Sequence, residues 1–155
     1  MKKQQKGFSL IELLIVVAII LIIAAIAIPN LLRSKMAANE ASAVASLRSI
    51  NTASVAFSTT YGTYPALLSN LAPAATPSST SADLIDSVLA SGTKGGYTIV
   101  YKGGAVVNGI TPSYTIVATP ITQGVSGQRG FFTDQSGVIR ADPAGAATSA
   151  STPLG

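Results

Sequence analysis

The chain contains no cysteine and no histidine among its 155 residues. The absence of cysteine excludes disulfide bonds and thiolate metal sites, and the absence of histidine excludes imidazole metal sites. Together they exclude catalysis by a Cys/His or Ser/His pair. No nucleotide-binding loop or nucleophile motif is present either. We therefore expect a chain that is not an enzyme and that holds no cofactor or metal.

Charged residues are also scarce, at 10% of the chain against roughly 25% in an ordinary soluble domain. The net charge is +4, but Lys2, Lys3 and Lys6 supply three of the ten basic residues. Without these three lysines, seven basic residues balance six acidic ones, and the net charge is +1. The sequence therefore shows no stripe of basic residues that could follow a phosphate backbone. We expect no specific nucleic-acid partner. The mean hydropathy of +0.48 instead indicates that part of the chain lies in lipid.

One apolar run accounts for this hydropathy. It extends from Phe8 to Ile28, contains only Ser9 and Glu12 as polar residues, and is ended by Pro29. As a helix, its 21 residues measure roughly 31 Å at about 1.5 Å per residue, which is enough to cross the hydrocarbon core of a bilayer. The run therefore predicts a membrane-spanning helix near the N-terminus.

Three interpretations of this run remain open. Lys2, Lys3 and Lys6 precede it, so a simple single-pass anchor keeps its N-terminus in the cytoplasm. The same lysines and an Ala25-Ile26-Ala27 site fit a secretory signal peptide, although the run exceeds the usual apolar length of about 7–15 residues and carries a carboxylate. In the third interpretation, a cut after Gly7 keeps the apolar helix in the mature chain.

Glu12 is the one charged residue in the apolar run, and its expected surroundings differ between these interpretations. A carboxylate inside a membrane helix costs roughly 2.5–3.5 kcal/mol on insertion scales, so a partner is expected. One interpretation places Glu12 near the interface, where it reaches headgroups or water. In the other, a cut after Gly7 frees an α-amino group on Phe8, four residues away on the same helix face. Within a bundle of identical helices, Glu12 of one subunit then pairs with the amine of its neighbour and reports their axial register.

Residues 6–20, Lys-Gly-Phe-Ser-Leu-Ile-Glu-Leu-Leu-Ile-Val-Val-Ala-Ile-Ile, resemble the N-terminal signature of type IV prepilins and the related pseudopilins. The likeness rests on a basic leader, a glycine at the cut, Phe8 after it, and Glu12 at the fifth mature position before a long apolar helix. Pro29 falls at the twenty-second mature position, where such pilins often carry a proline.

The resemblance implies a route of processing and assembly. A dedicated prepilin peptidase would cut between Gly7 and Phe8 on the cytoplasmic side and N-methylate Phe8. The subunit would wait in the bacterial inner membrane, and an assembly platform with an assembly ATPase would extract it into an extracellular helical filament of identical subunits. Glu12 would act in subunit recruitment and register, and Pro29 is the second assembly residue that the likeness implies.

Beyond the apolar run, the spacing predicts the second half of one long helix. The helix extends from about Ser9 to Thr60 and is kinked or locally loosened at Pro29, which removes a backbone donor. An apolar stripe at helical spacing indicates the face that packs on the rest of the chain. Its members are Met36, Ala43, Leu47, Ile50, Phe57 and Tyr61.

The C-terminal half predicts an α+β fold, in which an antiparallel sheet of three or four strands covers this stripe. β-branched and aromatic runs at 97–102 and 113–119 and a hairpin over 129–140 supply the strands. A short helix is predicted at 81–91, capped by Ser81 or a neighbour. Without cysteine, pairing and packing alone must hold the sheet.

The predicted divisions are a leader at 1–7, a membrane and polymerisation helix at 8–29, an amphipathic helix half at 30–61, a loop with a short helix at 62–96, a β-meander at 97–142 and a flexible tail at 143–155.

The carboxylates of the C-terminal half predict no metal or catalytic site. Asp134 and Asp142 match no calcium-loop spacing, and Asp134 is better explained as a turn residue. Asp83 and Asp86 fit the capping and solvation of a short helix.

We therefore expect a structural subunit of a type IV pilus that polymerises through its N-terminal helix. The resemblance implies motility, adhesion or DNA uptake as the role of such a filament. Two alternatives remain. One is a pseudopilin of a type II secretion system, and the other is an exported soluble binding domain that a signal peptidase releases after Ala27.

Overall fold

The computed structural model describes residues 8–154. The chain divides into two compact units between Ser34 and Lys35, which we name the apolar helix segment (residues 8–34) and the sheet unit (residues 35–154). The fold is α+β, as predicted. The elements are helix α1 (Leu10–Tyr61), a 3₁₀ helix (Leu68–Leu71), helix α2 (Ser87–Ala90), and strands β1 (Thr93–Lys94), β2 (Tyr97–Gly103), β3 (Tyr114–Pro120), β4 (Gly130–Asp134), β5 (Arg140–Asp142) and β6 (Thr152–Pro153).

Helix α1 continues through Pro29 without interruption. Proline has no amide hydrogen, so it cannot donate to the carbonyl one turn earlier. The leucine, isoleucine and alanine residues before it favour helix or tolerate it well, and the helical backbone persists on both sides. One long helix was therefore predicted correctly, and Pro29 does not divide it.

Within the sheet unit, α1 buries the predicted apolar stripe. Ala43, Leu47, Ile50 and Phe57 are each at most 2% exposed. The two end members, Met36 and Tyr61, are only partly covered. The period of the stripe thus identified the core face of the helix correctly.

The sheet is an antiparallel meander in which each strand pairs with the next along the chain, in the order β1 to β6. Its two longest strands, β2 and β3, pair in full register, with Ile99 opposite Ala118 and Tyr101 opposite Ile116. Alternate residues of both strands are buried, which is the period expected of a sheet with one face on a core. Their buried residues join the cluster formed by the α1 stripe.

Within residues 8–154 the sheet has six strands, not the three or four predicted. Strands β1 and β6 contain two residues each, which is too short for an alternating pattern to reveal them. The hairpin that begins with β4 also differs from the prediction. Its second strand covers Arg140–Asp142, whereas 138–140 was predicted. Gly137, with a φ of 75°, ends the turn, and pairing resumes three residues later.

The predicted helix at 81–91 is much shorter in the structure. Asp86, and not Ser81, caps α2, and its Oδ1 accepts a hydrogen bond from the Leu89 amide at 2.9 Å. Asp83 has a φ of 55°, which no right-handed helix accommodates. The amides of residues 82–85 donate to carbonyls of residues 70–72, so tertiary backbone hydrogen bonds replace the local helical ones.

The segment after β5, predicted as a flexible tail, makes defined contacts. Ala147 is 5% exposed, and the Arg140 guanidinium donates to the Ser151 carbonyl at 3.1 Å. A Cβ on Gly130 would overlap the backbone carbonyl of Gly145, so the tail passes directly over β4. Small residues permit this approach, which composition alone does not distinguish from disorder.

Candidate assembly site

The apolar helix segment presents an uncovered apolar surface. Each residue from Leu10 to Ile28 is exposed apart from Ala24, which is partly covered. Over residues 8–154, α1 is the one helix whose length and composition suffice to cross a membrane, with a mean hydropathy of 3.3 over its most apolar 18-residue window. Such a surface is stable only in lipid or against other protein.

Glu12 has a local hydrogen-bond partner at the start of this helix. The Ser9 amide donates to Glu12 Oε2 at 2.9 Å, and the Leu13 amide donates to the Ser9 carbonyl at 3.2 Å. Ser9 is thus the N-cap residue, and Glu12 provides the glutamate half of a capping box. The carboxylate also lies at the positive end of the helix dipole. The Ser-x-x-Glu spacing is visible in the sequence, but the capping role was not among the roles predicted for Glu12, which were contact with headgroups or water and pairing with a neighbour's amine.

The remaining predicted processing residues lie at or beyond the start of the described chain. Phe8 is 88% exposed and lies two residues before the first helical residue, so helical spacing does not fix its direction relative to Glu12. Gly7, Lys2, Lys3 and Lys6 lie outside the described residues. The structure therefore describes the Phe8–Glu12 segment but not the cleavage junction.

In the sheet unit, Glu40 joins α1 to the start of β4. Its Oε1 accepts hydrogen bonds from the amides of Gln128 at 3.0 Å and Arg129 at 3.1 Å. Its Oε2 forms an ion pair with Arg129 Nε at 2.8 Å. Asn39 adds a hydrogen bond from its amide group to the Ser126 carbonyl at 2.7 Å. These contacts, which we call the Glu40 latch, fix the β3–β4 loop on α1.

The surroundings of Glu40 favour its ionised form. Burial raises the pKa of this carboxyl, but hydrogen bonds from the Arg129 and Gln128 amides and the Arg129 guanidinium outweigh burial and hold the pKa below its usual value. The guanidinium also lies 5.5 Å from the centre of the Phe131 ring, a distance suitable for a cation–π contact. The sequence alone does not reveal this latch, because Glu40 and Arg129 are 89 residues apart and neither belongs to a recognisable motif.

A second polar connection crosses the core between α1 and the sheet. The Tyr114 hydroxyl donates to Asn51 Oδ1 at 3.1 Å, and Asn51 Nδ2 donates to Thr133 Oγ1 at 3.0 Å. Burial raises the pKa of Tyr114 to about 12, so its hydroxyl remains a donor throughout the physiological range. Tyr101 stacks on Tyr114 with ring centres 5.3 Å apart. This connection fixes the helix on the sheet without a disulfide.

Helix α1 also borders an open groove of about 320 Å³ in the sheet unit. Its walls are mainly apolar, and two guanidinium groups and one carboxylate lie along it. The lining residues are Ala37, Glu40, Ala41, Val44, Ala45, Arg48, Arg129 and Leu154. Because Glu40 pairs with Arg129, the charge that this groove offers to an incoming group is that of Arg48.

The carboxylates considered in the C-terminal half serve the local backbone. Asp134 Oδ1 accepts from the Ser136 amide at 2.9 Å, and Asp142 Oδ1 accepts from the Ala144 amide at 2.7 Å. Both are side-chain turns of the kind that aspartate commonly forms. In the described part of the chain, no group of three acidic side chains is placed to hold a metal ion.

Comparison with known proteins bears on the N-terminal segment. A family model described as the prokaryotic N-terminal methylation motif matches residues 2–28. The type IV wide pilus major component PilA4 of Thermus thermophilus is 60% identical over 38 residues, which are 24% of this chain and 29% of that protein. The type IV major pilin protein PilA of Myxococcus xanthus is 46% identical over 54 residues, which are 35% of this chain and 24% of that protein.

These matches span less than a third of the length of either relative. No solved structure matches the chain. The likeness to type IV pilins that residues 6–20 suggested is therefore confirmed, with the family model placing the N-terminal methylation motif at residues 2–28.

Proposed function

We propose that this chain is a structural subunit of a type IV pilus, made as a precursor and polymerised through its N-terminal apolar helix. The observation that carries the proposal is the methylation motif at residues 2–28, which contains the uncovered apolar part of a continuous helix. The two relatives, a major component of a wide pilus and a major pilin, support the same assignment. The filament's further role is adhesion, motility or DNA uptake.

Processing comes first in the proposed route. A prepilin peptidase cuts between Gly7 and Phe8 and methylates the new amine, as the match across this junction suggests. Lys2, Lys3 and Lys6 precede the apolar run and hold the N-terminus in the cytoplasm, so the sheet unit lies on the far side of the inner membrane. A cut after Ala27 is not favoured, because it would fall inside an unbroken helix and discard nearly all of the segment that matches the methylation motif.

Assembly then transfers the apolar helix from lipid to protein. An assembly platform and an ATPase extract the subunit, and the exposed side chains of the apolar helix segment become covered by other copies. Inside this apolar environment the Glu12 carboxylate pairs with the Phe8 amine of a neighbouring subunit, which favours the correct register because an unpaired buried charge is costly. Pro29, at the end of the apolar run, leaves a carbonyl without its usual donor and lets the helix adjust to its neighbours.

Two measurements test the proposal in cells that produce the chain. Mass spectrometry of the mature protein should find an N-terminus at methylated Phe8, whereas a start at Ile28 indicates a signal peptide and a soluble product. Shearing of the cell surface should release long filaments that contain the chain. Processed protein that never leaves the periplasm would instead indicate a secretion pseudopilin.

A further inference from the structure

The groove beside Arg48 has the chemistry to receive one particular segment of a second copy. Val44 and Leu154 make part of its wall apolar. Glu40 and Arg129 also line the groove, but their charges pair with each other. Arg48 is exposed, and its guanidinium forms no ion pair with any residue in 8–154. An occupant that suits this groove is apolar along its length and carries a carboxylate.

The chain contains one segment of that description. Five of its six acidic residues belong to the sheet unit, where they lie in ion pairs or in polar loops and turns. They are Glu40, Asp83, Asp86, Asp134 and Asp142. The sixth, Glu12, lies in an uncovered apolar helix whose only other polar residue before Pro29 is Ser9.

Glu12 also has unused capacity to accept hydrogen bonds. Its Oε2 accepts from the Ser9 amide, and its Oε1 accepts from no group in the described part of the chain. A carboxylate offers about four lone-pair positions over its two oxygens. A guanidinium can therefore bind Glu12 without displacing the cap or the neighbour's amine.

We propose that the apolar helix segment of one copy lies in the groove beside Arg48 of another copy, and that the Arg48 guanidinium binds the Glu12 carboxylate there. This inference rests on the proposed polymerisation and gives Glu12 a second partner besides the Phe8 amine. Arginine suits the role because its planar fork binds carboxylate in two parallel hydrogen bonds and stays charged when water is excluded. The pair sets the axial offset between the helix of one copy and the sheet unit of another.

Substitution of Arg48 provides the first test. In Arg48→Gln, the amount of processed subunit in the membrane should match wild type, and sheared filament should fall roughly tenfold or more, because Glu12 then loses a charged partner in an apolar environment. Arg48→Lys keeps the charge but not the fork and should retain an intermediate yield. Lys102→Gln removes an exposed cation away from the groove and should leave the yield unchanged. Wild-type filament yield from Arg48→Gln overturns the inference.

Crosslinking tests the placement without relying on the yield of a charge variant. The chain has no cysteine, so introduced thiols are the only ones present. One tagged copy with Val16→Cys, one helical turn after Glu12, is produced together with an untagged copy with Thr52→Cys, one helical turn after Arg48 and exposed, against a wild-type background. Because all copies cross the membrane in the same direction, these two positions are level when Glu12 lies beside Arg48. Oxidation of sheared filaments should give the mixed dimer. The matched control replaces Thr52→Cys with Val100→Cys, which is exposed on β2 outside the groove, and should give none.

Filaments that give no mixed dimer from the Val16 and Thr52 pair, or an equal amount from the control pair, overturn the inference and leave the proposed function intact. Failure to recover filaments from wild-type cells overturns the proposed function itself.

Discussion

Glu40 on α1 and Arg129 at the start of β4 form an ion pair at 2.8 Å, although 89 residues separate them in the sequence. The same carboxylate accepts two backbone amides, from Gln128 and Arg129. One side chain thus satisfies two amides and one guanidinium at the point where the β3–β4 loop meets the helix. Glu40 is 8% exposed, so these partners replace most of its water.

Loss of this carboxylate should destabilise the sheet unit. Glu40→Gln keeps the size and one acceptor but removes the charge, and we expect the free energy of unfolding to fall by about 1–3 kcal/mol. The measurement is denaturant unfolding of the full chain in detergent, followed by tyrosine fluorescence. Asp86→Asn is the control, because it removes the charge from an exposed ion pair while an oxygen remains to cap α2. Equal losses in the two variants would contradict a special role for Glu40.

The Glu40 latch also predicts how stability depends on pH. The folded-state pKa of Glu40 lies below its unfolded value, so its contribution is fully present above the unfolded pKa and is lost as pH falls through the folded pKa. The stability difference between wild type and Glu40→Gln should therefore shrink between about pH 6 and about pH 3. Unfolding measured over this range checks the prediction. A difference that stays constant down to the acid end would show that the charge of Glu40 does not stabilise the fold.

Two buried tyrosines should respond differently to the loss of one hydroxyl. Tyr114→Phe leaves Asn51 Oδ1 without its donor in a partly buried site, and we expect a loss of about 1–3 kcal/mol. The Tyr101 hydroxyl has no hydrogen-bond partner within the described chain, so Tyr101→Phe should change stability by less than about 0.5 kcal/mol. Both substitutions keep the stacked rings, and thermal unfolding of the two variants compares them directly.

Two variants separate the charge of Glu12 from its capping role. Glu12→Ala removes both, whereas Glu12→Gln keeps an oxygen that can accept the Ser9 amide. We expect both variants to be cut and methylated at Phe8 largely as in wild type, and both to lose filament yield by roughly tenfold or more. Mass spectrometry of the N-terminus and quantification of sheared filaments provide the two readings. Restoration of assembly by glutamine would assign the role of Glu12 to the cap, and normal yield in the alanine variant would remove the register hypothesis.

Helices and strands with a long periodic residue pattern could be predicted from the sequence, and those with a short pattern could not. The apolar run from Phe8 to Ile28 and the stripe at Ala43, Leu47, Ile50 and Phe57 both predicted α1 correctly, because helical period is written into consecutive residues. The alternating burial of β2 and β3 followed in the same way. Shorter elements carried no such pattern: β1 and β6 have two residues each, and α2 is confined to four by backbone hydrogen bonds from elsewhere.

The same distinction holds for the candidate assembly residues. The sequence by itself determined the N-terminal motif at residues 2–28, because such a motif is a linear stretch of chain. Only the tertiary structure decided the partners of Glu40 and Asn51 and the groove beside Arg48, because these depend on where strands and loops more than 60 residues away meet the helix. Charge and hydrogen-bond complementarity act through space, and a sequence records them only as isolated polar residues.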